Sequence, residues 1–178
     1  MKIAIIGYSG SGKSTLAAYL GKILHLPVLH MDTVHFLPDW VERDKEDEAA
    51  IVCDFMDKND ASGWVIDGNY ASIHYERRIE EADKIIFLSF TRLACLWRAI
   101  KRYRDFRGKA RPSAADGCNE KLDAAFVRWI LHDGRTKQRR ARYRRVAERY
   151  PQKFVSIKNQ RALTAYMKRV QAENEVCL

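Results

Sequence analysis

One short motif near the start of the chain constrains its fold more than any other feature. Residues 7–14 read Gly-Tyr-Ser-Gly-Ser-Gly-Lys-Ser, a full match to the pattern G-x-x-x-x-G-K-[S/T]. The apolar, β-branched residues 2–6 predict a buried strand before it, and residues 15–24 predict an amphipathic helix after it. A strand, a glycine loop and a helix in this order are typical of a phosphate-binding loop.

The chemistry of such a loop explains its residues. Glycines let the backbone turn tightly and direct N–H groups at phosphate oxygens, and the following helix adds its positive N-terminus. We expect Lys13 to reach the β- and γ-phosphates of ATP and the Ser14 hydroxyl to bind Mg²⁺. A glycine turn that binds nothing is the alternative, but the agreement of strand, loop and helix argues against it. The residues assigned to ATP are Gly7, Ser9, Gly10, Ser11, Gly12, Lys13, Ser14 and Thr15.

Length and composition favour one α/β domain that covers residues 1–178. No apolar run is long enough to span a membrane, and no signal-type segment precedes the first strand, so we expect no membrane contact and a cytoplasmic location. The four cysteines form no C-x-x-C pair. A metal site built from cysteines or a disulfide framework is therefore not expected.

The positive charge of the chain is concentrated in one segment. The net charge is +9 overall, whereas residues 98–149 hold 17 Lys/Arg against 6 Asp/Glu, a net charge of +11. Such a segment could contact nucleic acid or clamp a polyphosphate. Composition alone leaves both interpretations open.

Five short apolar runs predict the strands of a parallel sheet wrapped by helices. They are residues 2–6, 26–32, 64–66, 84–90 and 154–157. Residues 33–60 carry apolar side chains at helical spacing and predict a helical excursion over the sheet. Residues 98–149 predict a basic helical hairpin inserted before the last strand, with Arg135 opening its second basic helix.

Two residues after the second strand are candidates for binding an acceptor. Asp32 is expected where that strand ends, on the ligand side of a parallel sheet, and it could hold an acceptor hydroxyl or cap a helix. Arg43 stands in an acidic stretch, where it could bind the acceptor or form a surface ion pair.

A second informative stretch is Gly-Trp-Val-Ile-Asp-Gly-Asn-Tyr at residues 63–70. It predicts a buried strand that ends in a sharp turn at Asp67. A carboxylate beside the phosphate loop can hold Mg²⁺ or orient an attacking hydroxyl, and a plain Asp-Gly turn is the alternative. We assign Asp67, Gly68, Asn69 and Tyr70 to the acceptor, and Asp67 to the metal as well.

These stretches together resemble the bacterial DNA topology modulation (FlaR-like) family. The phosphate loop, Leu29-x-x-Asp32, the Asp-Gly-Asn-Tyr stretch, Ala82-Asp-x-Ile-Ile-Phe-Leu88, and Arg111-Pro112 followed by Gly117-Cys118 carry the resemblance over nearly the whole chain. That family is similar to nucleoside monophosphate kinases and shikimate-type kinases. The resemblance implies a three-layer P-loop NTPase fold, described as nucleoside monophosphate kinase-like.

The resemblance also implies roles for several residues. Asp67-Gly68 matches the Asp-Gly that stands beside the nucleotide in adenylate kinases, and residues 98–149 stand where an arginine-bearing lid closes over the triphosphate. The loop after the last strand, with Asn159 and Arg161, would hold adenine. Ser89 and Ser113 depart from the family pattern, which has Asp at both positions, so any metal or acceptor role of those carboxylates is missing here.

Three functions remain in competition, of which the third, nucleotide binding without turnover, needs only the phosphate loop. In the first, ATP–Mg²⁺ is bound on the loop, arginines offset the charge on the γ-phosphoryl group, and the phosphoryl group moves to a hydroxyl or phosphate acceptor. In the second, the basic segment binds DNA under nucleotide control. We favour the kinase because the segment stands where a lid belongs. Arg98, Arg102 and Arg135 are the predicted catalytic arginines with Lys13 and Asp67, although a solvated basic face is the alternative for any single one.

Overall fold

A computed structural model describes residues 1–108, 113, 115 and 117–176. Arg111, Pro112 and Cys177, which entered the sequence interpretation, lie outside the described residues. The strands are β1 (Lys2–Gly7), β2 (Val28–His30), β3 (Phe36–Leu37), β4 (Val41–Glu42), β5 (Trp64–Asp67), β6 (Lys84–Leu88) and β7 (Phe154–Ile157). The helices are α1 (Lys13–Leu24), α2 (Met31–His35), α3 (Lys45–Lys58), α4 (Tyr75–Glu81), α5 (Arg92–Asp105), α6 (Ala124–Leu131), α7 (Lys137–Arg149) and α8 (Gln160–Val176).

The main sheet has five strands in the order β2-β5-β1-β6-β7, and every neighbouring pair is parallel. Strand β1 lies at its centre, and its side chains alternate between the two faces as the pleat requires. Ile3 and Ile5 pack in one core with α1, α5 and α8, whereas Ala4 and Ile6 pack in a second core with α3, α4 and α7. Helices therefore cover both faces, as the sequence predicted.

Parallel pairing brings the carboxyl ends of the strands to one edge of the sheet. Asp67 at the end of β5 is in register with Ile5 of β1 on one side and with His30 of β2 on the other. Gly7 at the end of β1 is in register with Leu88 of β6. The loops that leave these strands therefore meet at one place, which is where ligands bind in open α/β sheets.

The predicted helical excursion over residues 33–60 is wrong in part. Strands β3 and β4 form a small antiparallel ribbon, joined by a 3₁₀ turn at Pro38–Trp40. Each strand has only two residues, too few for the alternation of apolar and polar residues to be read from sequence. Asp32 was expected to end the second strand, but β2 stops at His30 and Asp32 lies in the first turn of α2.

Helices α5, α6 and α7 occupy the predicted position between β6 and β7. Arg135 does not open α7: it ends a 3₁₀ turn, and α7 begins at Lys137 after the N-cap Thr136. Tyr143 and Val146 are buried on the inner face of α7. In the part of the chain that the structure describes, we find no helix with both the length and the apolar character needed to cross a membrane.

Candidate active site

The phosphate loop joins β1 to α1 in a conformation that requires glycine. Gly10 and Gly12 have φ angles of 76° and 92°, in the left-handed region that other residues rarely adopt. A methyl group at Gly10 would come within 2.5 Å of the carbonyl oxygen of Cys95 in α5, and one at Gly12 would collide with the guanidinium of Arg98. The loop is thus shaped by its own turns and by close contact with α5.

The loop leads into the N-terminus of α1, whose N-cap is Gly12 and has no side-chain cap. Lys13, Ser14 and Thr15 line the adjoining cavity, and Lys13 Nζ donates to the carbonyl oxygen of Tyr8 at 3.2 Å. An uncapped helix start presents backbone N–H groups and a partial positive charge, which suit a phosphate group.

Ser9 and Ser11 of the loop have different environments. Trp129 Nε1 in α6 donates to Ser9 Oγ at 2.9 Å, so that the loop contacts α6. Ser11 is fully buried, and its hydroxyl has no hydrogen-bond partner within the described part of the chain. Ser9, Gly10 and Gly12 line the cavity, whereas Gly7 and Ser11 do not.

Asp67 lies at the centre of the site and is only 4% exposed. Its Oδ2 accepts from Ser14 Oγ at 2.8 Å, and its Oδ1 lies 2.5 Å from His30 Nδ1. Because a carboxylate oxygen accepts, we assign the proton to Nδ1 of His30. His30 also lines the cavity, but no sequence motif pointed to it, because its role depends on β2 pairing beside β5.

The Ser14 hydroxyl and the Asp67 carboxylate fit a Mg²⁺ ion. Both offer hard oxygen atoms, and they lie within hydrogen-bond distance of each other at the start of α1. The described residues hold no cluster of three or more His, Cys, Asp or Glu side chains that could bind a metal. Mg²⁺ in nucleotide sites takes one or two protein ligands and otherwise waters and phosphates, so a pair of this kind is what it requires.

The turn after β5 is fixed from two directions. Asn69 Nδ2 donates to Gly7 O at 2.6 Å, and Gly7 N donates to Asn69 Oδ1 at 3.0 Å, which ties the turn to the phosphate loop. Arg78 of α4, which is 3% exposed, donates to the carbonyl oxygens of Gly68 at 3.2 Å and Tyr70 at 2.7 Å. Burial lowers the pKa of Arg78 to about 10. Sequence reasoning missed Arg78.

The turn reaches the region assigned to the acceptor. Tyr70 donates from its hydroxyl to Asp32 Oδ1 at 2.7 Å, and both residues line the cavity with Gly68 and Asn69. The ribbon adds Phe36 and Trp40 to the same wall. The four predicted acceptor residues Asp32, Gly68, Asn69 and Tyr70 are therefore brought together with Asp67.

Cations from α5 and α7 also line the cavity. Arg98 and Arg102 share one face of α5, and both reach the cavity. Arg98 lies 4.8 Å from the ring centre of Phe90 and donates to Gln160 Oε1 at 2.5 Å, and burial lowers its pKa. Arg102 Nε donates to the buried Glu120 at 2.9 Å.

Arg139 and Arg142 of α7 also line the cavity, although no sequence pattern pointed to them. The guanidinium of Arg139 lies 4.5 Å from the ring centre of Trp129, the residue that contacts Ser9 of the phosphate loop.

Besides Gly7 and Ser11, three predicted site residues do not line the cavity. Arg135 is buried and donates to the carbonyl oxygens of Phe90 at 2.9 Å and Ile130 at 3.1 Å. Arg43 donates from Nε to Val34 O at 2.7 Å, so neither alternative considered for it describes its contact. Arg161 is exposed on α8.

The loop before α8 has one of its two predicted residues at the cavity. Asn159 lines the cavity, and its Oδ1 accepts from Ala162 N at 2.9 Å as the helix cap. Of the two serines that depart from the family pattern, Ser113 borders the cavity, whereas Ser89 faces Ser156 of β7, with 3.3 Å between the hydroxyl oxygens.

The cavity enclosed by these elements measures about 1670 Å³. Sites for a single drug-sized ligand usually measure about 300–1,000 Å³. The phosphate loop lines one part of it and the Asp32–Tyr70 pair another. The cavity is therefore larger than one ligand of that size requires.

Comparison with known proteins identifies the fold. The sequence matches no model of a known protein family and no curated protein. A gluconokinase from Sinorhizobium meliloti 1021 matches at 15% identity with a TM-score of 0.52, over 99% of this chain and 92% of that one. A deoxyadenosine kinase from M. mycoides with bound dATP matches at 16% identity with a TM-score of 0.55, over 100% of both chains.

A protein from Thermus thermophilus matches at 15% identity with a TM-score of 0.56, over 97% of both chains. At these identities the similarity shows the fold, and the more specific resemblance to the DNA topology modulation family stays a prediction. The five-stranded parallel sheet and the glycine loop after its central strand are consistent with the fold of these neighbours. The chain has the α/β fold of nucleotide kinase-like P-loop NTPases.

Proposed function

We propose that the protein is an ATP-dependent phosphotransferase that moves the γ-phosphoryl group to a small acceptor. The observation that carries this proposal is the Ser14–Asp67 contact of 2.8 Å at the phosphate loop, inside a cavity with room for two ligands. A protein that binds a nucleotide without turnover needs the phosphate loop, but it needs no space for an acceptor beside Asp67.

Each part of the site has its own role in phosphoryl transfer. The phosphate loop and Lys13 bind the triphosphate, and Ser14 with Asp67 holds Mg²⁺, which offsets phosphate charge when bound. Asp67 orients the acceptor, supported by His30, while Asn69 keeps the turn against the phosphate loop. Positioning and electrostatics supply most of the catalysis in phosphoryl transfer.

The helices α5–α7 act as the lid in this proposal. Arg98 lies against Gly12, and Arg139 is linked to Ser9 through Trp129, so both guanidinium groups are close to the phosphate loop. A planar guanidinium binds phosphate oxygens in pairs and keeps its charge. Arg98, Arg102 and Arg139 are therefore the lid arginines, and Arg135 holds the base of the lid.

The solved neighbours support a kinase of this general type. One is a deoxyadenosine kinase with bound dATP and another is a gluconokinase. Their acceptors differ, so the fold leaves the acceptor of this chain open. The competing function, DNA binding by the basic segment, is supported less well because Arg98, Arg102, Arg139 and Arg142 line the cavity.

The test is a screen for ADP release from ATP–Mg²⁺ against nucleosides, nucleoside monophosphates and polyols. We expect one acceptor class to raise ADP release, and Lys13→Ala to abolish the response. Lys22→Ala, an exposed lysine in the last turn of α1, is the matched control. Absence of ATP binding by calorimetry, or ATP binding without acceptor-dependent turnover, would contradict the proposal. A steep salt dependence of binding to a DNA duplex would then favour the competing function.

A further inference from the structure

The acceptor end of the cavity has a wall of aromatic rings that no sequence motif predicted. The imidazole of His35 lies 4.7 Å from the ring centre of Tyr70 and 4.5 Å from that of Phe36, and Phe36 lies 5.1 Å from Trp40. All four rings line the cavity. Successive rings meet at interplanar angles of 70°, 48° and 72°, so they form a continuous aromatic wall, and a planar ligand can stack on one of its ring faces.

The wall is held in place by contacts on both sides of the cavity. Trp40 Nε1 donates to Asn119 O at 3.0 Å, and the thiol of Cys118 donates to Leu37 O at 3.3 Å. His35 Nδ1 lies 2.6 Å from Glu48 Oε1 of α3, a carboxylate that is almost completely buried. The rings are therefore fixed before any ligand enters.

The backbone of the ribbon turn is strained at the same place. Asp39 and Trp40 are consecutive non-glycine residues with φ angles of 61° and 64°. Left-handed conformations are strained for such residues and cluster at ligand sites. The strained turn carries Trp40, whose indole contacts Phe36 in the aromatic wall.

The polar groups beside this wall suit an acceptor with a hydroxyl group and without a phosphate. Asp32 and Asp67 supply carboxylate oxygens, which accept from hydroxyls and repel phosphates. Arg43 donates to the backbone carbonyl group of Val34, and Arg78 donates to those of Gly68 and Tyr70. Neither Arg43 nor Arg78 lines the cavity.

The positively charged side chains near the acceptor end of the cavity belong to residues 98–149. Lys121 Nζ lies 5.8 Å from the ring centre of Trp40, and the Arg142 guanidinium lies 5.8 Å from that of Tyr75. Glu120 also lines this region, so the lid contributes charges of both signs. On the sheet side, the carboxylates of Asp32 and Asp67 disfavour a second phosphate group close to them.

From this geometry we propose that the acceptor is a nucleoside, an uncharged planar base joined to a sugar hydroxyl. This inference rests on the proposed phosphotransferase function. The base stacks on the aromatic wall, and the hydroxyl faces Asp67. The hydroxyl oxygen forms a bond to the γ-phosphorus while the bond from that phosphorus to the bridging oxygen breaks; ADP keeps the electron pair, and the hydroxyl proton is released to solvent.

The first experiment compares acceptors on the unmodified protein. ADP release is measured with adenosine, deoxyadenosine, cytidine and guanosine, with the corresponding 5′-monophosphates, and with gluconate and glucitol. We expect kcat/KM for the best nucleoside to exceed that of its own monophosphate by about tenfold or more. A monophosphate or polyol as the preferred acceptor would overturn the inference and leave the phosphotransferase standing. Lack of ADP release with every acceptor would contradict both.

The second experiment tests the wall with variants. Phe36→Leu removes a ring at similar volume, and Tyr70→Phe removes only the hydroxyl that contacts Asp32. Val41→Ala, on the same ribbon and 55% exposed, is the control. We expect Phe36→Leu to raise the KM for the nucleoside about tenfold. The KM for ATP should not change, and thermal melts report folding.

Tyr70→Phe should raise the same KM less, because the ring remains. Equal acceptor KM values in Phe36→Leu, Tyr70→Phe and the control would overturn the role of the wall even if nucleosides are the acceptors. A parallel rise in the KM for ATP would mean that the whole cavity had changed, which also contradicts a specific acceptor wall.

Discussion

Replacing Asp67 by Asn tests the centre of the site most directly. The carboxylate is 4% exposed and accepts from two side chains, Ser14 Oγ at 2.8 Å and His30 Nδ1 at 2.5 Å. An amide keeps the shape but has one acceptor oxygen, so its nitrogen must face either the serine or the histidine. The variant therefore loses the negative charge and one of the two acceptors.

The effect on stability should be small. Hydrogen bonds to a charged group contribute about 1.5–3 kcal/mol and neutral ones about 0.5–1.5 kcal/mol, so the weaker pair lowers the free energy of unfolding. Removal of a buried charge offsets part of this loss, because a buried charge carries a desolvation penalty. We expect a net loss of about 1 kcal/mol, which shifts the melting temperature by about 2–4 °C at this chain length.

The effect on turnover should be much larger. A group that positions an acceptor or orients a metal contributes on the order of a hundredfold, which is about 2.7 kcal/mol in the barrier. We expect kcat for ADP release at saturating acceptor to fall by about that factor. We also expect the gain in ATP affinity on addition of Mg²⁺, measured by calorimetry, to shrink. ATP affinity without Mg²⁺ should change little.

Asp44→Asn is the matched control, because Asp44 caps α3 by accepting from Glu46 N at 2.8 Å and does not line the cavity. It should alter the melting temperature without altering kcat. The reasoning is refuted if Asp67→Asn retains kcat within about threefold of the parent at saturating Mg²⁺. Asp67 would then be only a turn residue.

The remaining predictions address the loop and the lid. Lys13→Ala should weaken ATP–Mg²⁺ binding in calorimetry while Lys22→Ala does not, and equal affinities would refute the assignment of the loop. Gly10→Ala should destabilise the fold by about 1–3 kcal/mol and weaken ATP binding, because it strains a left-handed residue; an unchanged melting temperature would contradict this. Arg102→Ala should lower kcat about tenfold or more without changing the salt dependence of DNA binding. Arg135→Ala should lower the melting temperature by about 5 °C or more, because it leaves buried carbonyls without partners, and a stable but inactive variant would return Arg135 to the catalytic group.

Much of the fold followed from local patterns. The five parallel strands were identified from apolar runs and the phosphate loop from its glycines, because both signals lie within a few neighbouring residues. Asp67 was singled out because it follows a buried strand and precedes glycine. The ribbon β3–β4 was missed because two-residue strands leave no period to detect.

The basic segment shows where sequence reasoning reaches its limit. The charge of residues 98–149 predicted an arginine-rich lid, but it could not distinguish Arg98, which faces the cavity, from Arg135, which donates to buried carbonyls. Both are arginines in a dense basic run. Their difference arises from the 3₁₀ turn before α7, which turns Arg135 inward beneath α5.

The sequence by itself determined the phosphate loop, the parallel sheet and the position of Asp67, because each depends on residues that are adjacent in the chain. Only the tertiary structure decided which side chains meet there. His30 reaches Asp67 because β2 pairs beside β5, and the aromatic wall exists because the ribbon packs against Tyr70 and the segment around Asn119. These contacts join residues 35 to 79 positions apart, and no local pattern encodes a contact over such distances.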